Sequence, residues 1–208
     1  MLFDWLQNGT RNPVKSRSGD FPALSMPAPQ DGLLVLAYQS TISPIEYAQW
    51  AKFAGFIEHK GFASVKTRHL QRGLPEDGFT EIYSRFAKTL IGVGDSAGKD
   101  QNFGMETEFI ALTNPYTDDL THGFSVQLLY QNQPRANAQI EIFERSPDKK
   151  TTISYLQTDS QGIAVIPVKA GYTYLLDGVV LREPASENSK DFNAVWETLW
   201  ASLTFKVP

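Results

Sequence analysis

The sequence predicts a mainly β protein that carries a helical insertion and ends in a two-layered β-sandwich. Three observations predict it. From about residue 105 onward, apolar and polar residues alternate in short runs separated by turn residues, the period of strands with one face on a core. Between about residues 43 and 92, apolar residues recur instead at three- and four-residue spacings, the period of a helix face. Ahead of that block, "LLVLAY" (Leu33 to Tyr38) is an apolar run of strand length. The change of period divides the chain into residues 1–105, an incomplete N-terminal β-region with a three-helix insertion, and residues 106–208, the sandwich.

Taken in order, Leu2 to Leu6 reads as a short strand, and the proline-containing stretch after Arg11 reads as extended. "SPIE" then supplies a helix start: Ser43 as N-cap, Pro44 at the first helical position and Glu46 closing a capping box. Trp50, Phe53, Ala54 and Ile57 follow on one face, and Gly61 stops the helix. A second helix is expected over Val65 to Arg72, ended by Gly73, Leu74 and Pro75. The third is expected from the stripe Phe79, Ile82, Tyr83, Phe86 and Leu90, ended by Gly92, with Glu81 and Arg85 as an i,i+4 pair.

After the loop Gly92 to Gly104, seven runs read as strands, from "ETEFIAL" to "LWASLTF". "TDSQG" (Thr158 to Gly162) is a tight turn, in which Asp159 accepts a backbone N–H and Gly162 takes a positive φ. A polar turn before Pro134, then D-x-x-G, then "GYTYLL" is the pattern of a prealbumin-like or carboxypeptidase-regulatory-like sandwich, within the Ig-like class. In the last strand Trp196, Thr198, Trp200, Ser202 and Thr204 share one face, and Leu199, Ala201, Leu203 and Phe205 share the other. The second face suits a sandwich core. The two indoles therefore need cover from elsewhere, from the helical block or from the N-terminal β-segment.

Composition narrows the function classes. A 208-residue chain buries enough surface to fold without staples, and with no cysteine it has no thiol nucleophile, Cys-based zinc site or disulfide. A net charge of −4 lacks the basic footprint of a nucleic-acid binder. No apolar run reaches bilayer length and no export signal is visible at Met1.

The stretches "RGLPEDGFTEIYSRFAKTLIGVG" (Arg72 to Gly94), "LTNPYT" (Leu112 to Thr117), "TDSQG" and "VWETLWASLTF" together resemble a bacterial envelope family of unknown function. Its members are described as periplasmic components associated with nickel or cobalt uptake. The resemblance implies a periplasmic or envelope location, nickel or cobalt as the possible metal, and a membrane transporter or other envelope protein as partner. Members of that family begin with an export signal and a strand that carries a histidine near a tryptophan. This chain departs from that pattern at Met1, as it would if it started downstream of the native N-terminus.

Four motifs could carry chemistry. "GDSAG" (Gly94 to Gly98) matches G-x-S-x-G and would make Ser96 a hydrolase nucleophile, but it lacks the strand-to-helix context. The same loop mimics a phosphate loop, yet Asp100 stands where a magnesium-binding hydroxyl belongs. A flexible loop is the expectation. His59, His69 and His122 form no metal-ligand spacing, so His122 with Asp118 and Asp119 is the weak metal candidate. Arg72, Tyr83, Arg85 and Lys88, near Arg68, are the candidate anion- or partner-binding cluster.

The leading expectation is a non-enzymatic envelope binding or accessory protein, with a link to nickel or cobalt uptake implied by the resemblance. The alternative is a carbohydrate- or protein-binding module that presents Trp196 and Trp200 with Tyr172 or Tyr174. The remote alternative is a serine hydrolase acting through Ser96.

Overall fold

A computed structural model describes residues 2–17, 19–184 and 187–208. The protein is mainly β with a helical insertion, as expected. Its strands are β1 (Leu2–Gln7), β2 (Thr10–Pro13), β3 (Gly32–Gln39), β4 (Ser43–Tyr47), β5 (Phe79–Val93), β6 (Thr107–Ala111), β7 (Phe124–Tyr130), β8 (Gln133–Pro134), β9 (Gln139–Arg145), β10 (Thr151–Gln157), β11 (Ile163–Ile166), β12 (Thr173–Arg182) and β13 (Ala194–Lys206). The helices are α1 (Trp50–His59) and α2 (Val65–Gln71).

The strands form two sheets. The larger runs β10-β9-β12-β13-β5-β3-β1-β2, with β4 also paired to β5; the smaller runs β11-β7-β6, with β8 on β7. Among the described residues only β13 and β5 pair in parallel. The sheets face each other across the main core. Phe109, Phe124, Val126, Leu128 and Ile166 of the small sheet pack there against Val35, Phe86, Ile140, Tyr174, Leu199, Leu203 and Phe205 of the large one. Phe124 stacks on Phe205 with centroids 4.0 Å apart. The large sheet runs across residue 105, because β5, β3 and β1 continue the ladder of β12 and β13. The change of period in the sequence therefore marks a change in pattern rather than a break in the sheet.

The expected third helix is β5, and its neighbours explain why. One side of its backbone pairs with β13 from Thr80 to Thr89, while the other pairs with β4 and then with β3. Almost every N–H and C=O thus has a cross-strand partner, and the β-branched and aromatic residues suit the pleat. The helical stripe was an accident of composition. Ser84 and Lys88 are polar residues on the inward face, and Tyr83 and Ala87 are less polar ones on the outward face, so the true period of two is masked. "SPIE" is likewise a strand, β4, whose edge position tolerates Pro44. Capping of α1 falls to Asp77, whose Oδ1 accepts the Trp50 N–H at 2.8 Å.

Both helices lie on the large sheet's other face and cover one end of it. Phe53, Ile57, Val65, Tyr47, Phe79 and Trp196 form a second, smaller core there. Trp196 is fully buried, and Trp200 is partly buried with its ring stacked on Phe56 at 5.7 Å. The division of faces expected for the last strand holds: its aliphatic face enters the main core and its indoles meet the helices.

The loop after β5 is pinned rather than flexible. Asn114 donates from Nδ2 to the Ser96 and Gly98 carbonyls and accepts the Tyr116 N–H. The Tyr116 hydroxyl donates to the Leu90 carbonyl. The residues of "LTNPYT" are thus a clamp on the loop. Behind it Lys88 Nζ meets Asp100 Oδ1 at 2.7 Å and Glu108 Oε2 at 3.5 Å, all three side chains inaccessible to solvent. Glu108 also accepts the backbone N–H groups of Phe103, Gly104 and Met105, and Asp100 that of Ala111.

Candidate ligand-binding cleft

The residues expected to act together are dispersed. Three residues apart on a strand means opposite faces, so Lys88 enters the main core while Arg85 stays exposed outside, with its guanidinium 5.5 Å from the Tyr83 ring centroid and 5.9 Å from that of Trp200. Arg72 lies at the far end of β13, over Trp196 at 4.8 Å, and donates to the Val195 carbonyl. Arg68 covers the same indole at 5.0 Å. The anion-binding cluster is therefore not a cluster in space.

No common aromatic platform exists either. Trp196 and Tyr174 are both fully buried, on opposite faces of the sheet, and only Trp200 and Tyr172 retain some exposure. Ser96 has a positive φ of 57° and follows strand β5, not a helix, but no helix comes after it, and its N–H is tied to the Val93 carbonyl. Its carbonyl is held by Asn114. Asp118 and Asp119 serve as turn acceptors, for the Asn114 N–H and for Thr121 respectively, beside an exposed His122. Among the described residues no group of three or more metal-binding side chains is arranged to hold an ion.

The structure instead assembles a polar cleft from residues far apart in sequence. It lies where the C-terminus of α1 meets the outward faces of β10, β9 and β12, and the loop between β8 and β9 closes one side. Lys60, Phe62, Arg135, Asn137, Gln139, Glu141, Gln157 and Asp177 are among its lining residues, around a cavity of about 260 Å³. Register explains the wall. Tyr155, Glu141, Asp177 and Ser202 form one row across the sheet, so two carboxylates lie side by side on neighbouring strands.

Lys60, just past α1, answers them. Its ammonium reaches Asp177 Oδ2 at 2.6 Å and forms a closer bond with Glu141 Oε2. It also lies 5.0 Å from the Trp200 ring centroid. Burial alone would lower the Lys60 pKa, but the bonds to Asp177 and Glu141 outweigh it and hold the group above its ordinary value. The other oxygen of Glu141 lies 3.0 Å from His59 Nε2. Lys60 and Glu141 are nearly closed to solvent, with 9% and 2% of their side-chain surface exposed, so this is a desolvated charge cluster and not a surface pair.

The other end of the cleft carries Arg135. Its Nη2 donates to the Val179 carbonyl at 2.6 Å. Its Nη1 is buried with no hydrogen-bond partner. Desolvation pushes the guanidinium pKa down to about 10. The Thr158 side chain positions this loop, donating to the Arg135 carbonyl and accepting the Ala138 N–H. The adjoining "TDSQG" turn has the expected form: Asp159 Oδ1 accepts the N–H groups of Gln161 and Ile163, and Gly162 has φ +71°.

None of Lys60, Arg135, Glu141 and Asp177 stood out in the sequence. One signal was present. Asp177 interrupts the apolar run "YLLDGVVL", and a lone acid in a buried strand calls for a partner. Nothing local identified that partner as Lys60, 117 positions away.

A family model described as a domain of unknown function (DUF4198) matches residues 3–180. No curated protein and no solved structure matches the chain.

Proposed function

The chain belongs to the DUF4198 family of domains of unknown function, and from that premise we propose that it is a non-enzymatic binding or accessory protein of the cell envelope whose ligand contact is the cleft at the end of α1. The observation that carries the reading is Arg135. Its guanidinium lines a polar cavity, and among the described residues no carboxylate pairs with it, which leaves a cation for something that enters. The cleft's other charges form one bonded cluster, Lys60 between Glu141 and Asp177, which suits recognition more than proton transfer.

The association with nickel or cobalt uptake, implied by the family resemblance, fits this reading as an accessory role beside a transporter. The Lys60 ammonium occupies the position between Glu141 and Asp177 that a cation would take, and its charge repels one.

Equilibrium dialysis against a mixture of small polar compounds, followed by mass spectrometry, tests the proposal. The expected result is stoichiometric retention of at least one unmodified compound by the wild-type chain. Retention is lost in Gln157→Trp, which fills the cleft mouth from an exposed strand position. No retention, or retention unaffected by that substitution, overturns the cleft as the site. Chemical turnover of a retained compound overturns the non-enzymatic reading. Calorimetric titration with nickel and cobalt runs in parallel, and saturable binding of either metal tighter than millimolar would replace the accessory role with direct metal carriage.

A further inference from the structure

The cleft is electrically two-ended. At one end Arg135 contributes a positive charge that no carboxylate of the described residues pairs with. At the other, the charged lining residues are two carboxylates, Glu141 and Asp177, that share the single ammonium of Lys60, with His59 Nε2 3.0 Å from the second Glu141 oxygen. The whole lining is close to neutral. A plain anion would satisfy Arg135 and be repelled by the far wall; a plain cation would meet the reverse.

We propose that the cleft binds a small zwitterion of the α-amino acid type, with its carboxylate toward the Arg135 guanidinium and its ammonium facing the Glu141–Asp177 wall. This inference rests on the cleft being a binding site and names what it takes. The cavity of about 260 Å³ holds a small amino acid and not a long peptide. The side-chain amides of Asn137, Gln139 and Gln157 line the same space, and they supply donors and acceptors that add no net charge. Gln139 is held in place by its own bond to the His59 carbonyl, 3.0 Å away. Desolvation strengthens both ends. Charge-assisted hydrogen bonds shielded from water discriminate strongly against a ligand that lacks one of the two groups.

The test uses three probes of similar size on the full chain: L-alanine, propionate and ethylammonium, each followed by ¹⁵N chemical-shift titration and calorimetry. L-Alanine is expected to bind at least tenfold tighter than either single-charge probe and to shift the Arg135 side-chain signal. Arg135→Gln should cost at least tenfold in alanine affinity. Because that substitution touches a buried group, Gln157→Glu serves as a second variant at an exposed position, where the added carboxylate competes for Arg135 and should also weaken alanine about tenfold. Equal binding of all three probes overturns the zwitterion assignment while leaving the cleft a binding site. Absence of any cleft shift with all three overturns both.

Discussion

Trp196 Nε1 donates a hydrogen bond to His69 Nδ1 at 2.9 Å, with both residues fully buried. The indole N–H can only donate, so Nδ1 must accept, and the ring carries its proton on Nε2, which faces the Pro75 carbonyl at 2.8 Å. One bond thus joins the last strand to the second helix and through it to the turn that leads into β5.

Trp196→Phe keeps most of the buried ring but leaves the His69 Nδ1 lone pair without a partner. An orphaned buried acceptor costs about 1–3 kcal/mol, so urea unfolding should show a loss of that size. Pairing it with His69→Phe should give less than the sum of the two single losses, as expected for residues in direct contact.

Lys88→Met should destabilise by about 3–5 kcal/mol, because it leaves two buried carboxylates uncompensated. Arg85→Ala, on the exposed face of the same strand, should stay within about 0.5 kcal/mol. The contrast is a direct test of the strand, since a helix would place both residues on one side. Denaturant melts of the two variants measure it.

Glu81 lies under the helices, where Tyr47 donates to it at 3.2 Å and Thr198 also bonds it; Trp200 Nε1 in turn donates to Thr198. Burial outweighs these bonds and raises its pKa from 4.5 to about 7. The folded state therefore holds this proton more tightly than the unfolded chain does. Stability from Glu81 is full below about pH 4.5 and is lost as pH rises to about 7, a total on the order of 3 kcal/mol at 1.36 kcal/mol per unit. Glu81→Gln should flatten the stability profile across that window and melt higher than wild type at pH 8. Thermal unfolding from pH 4.5 to 8 decides it.

Gly162→Ala should cost about 1–3 kcal/mol. Its φ of +71° disfavours a side chain, and a Cβ would come within 2.8 Å of the Arg135 nitrogen and the Leu128 carbonyl, both backbone atoms that cannot turn away. Since the Arg135 backbone is one of those neighbours, the cleft should lose ligand affinity along with stability, and the dialysis experiment reads that second effect.

Local pattern was enough for much of the architecture. Alternation identified the strands from Thr107 onward, helical spacing identified α1 and α2, and the "TDSQG" turn was legible from Asp159 and Gly162, because each depends on neighbours a few residues away. The last strand shows the same legibility: its period of two puts the indoles on one face and Phe205 on the other, and the tertiary structure sets the first face against the helices and the second in the main core. Only the tertiary structure decided β5, where pairing with β3, β4 and β13 outweighed a helical stripe that was locally just as good. It also decided the cleft. Lys60, Arg135, Glu141 and Asp177 come from three segments, and a charge reveals its partner only when the ladder register and the helix end bring the two within a few ångströms. Coulomb attraction across a desolvated gap depends on distance in space, and one-dimensional order carries no record of it.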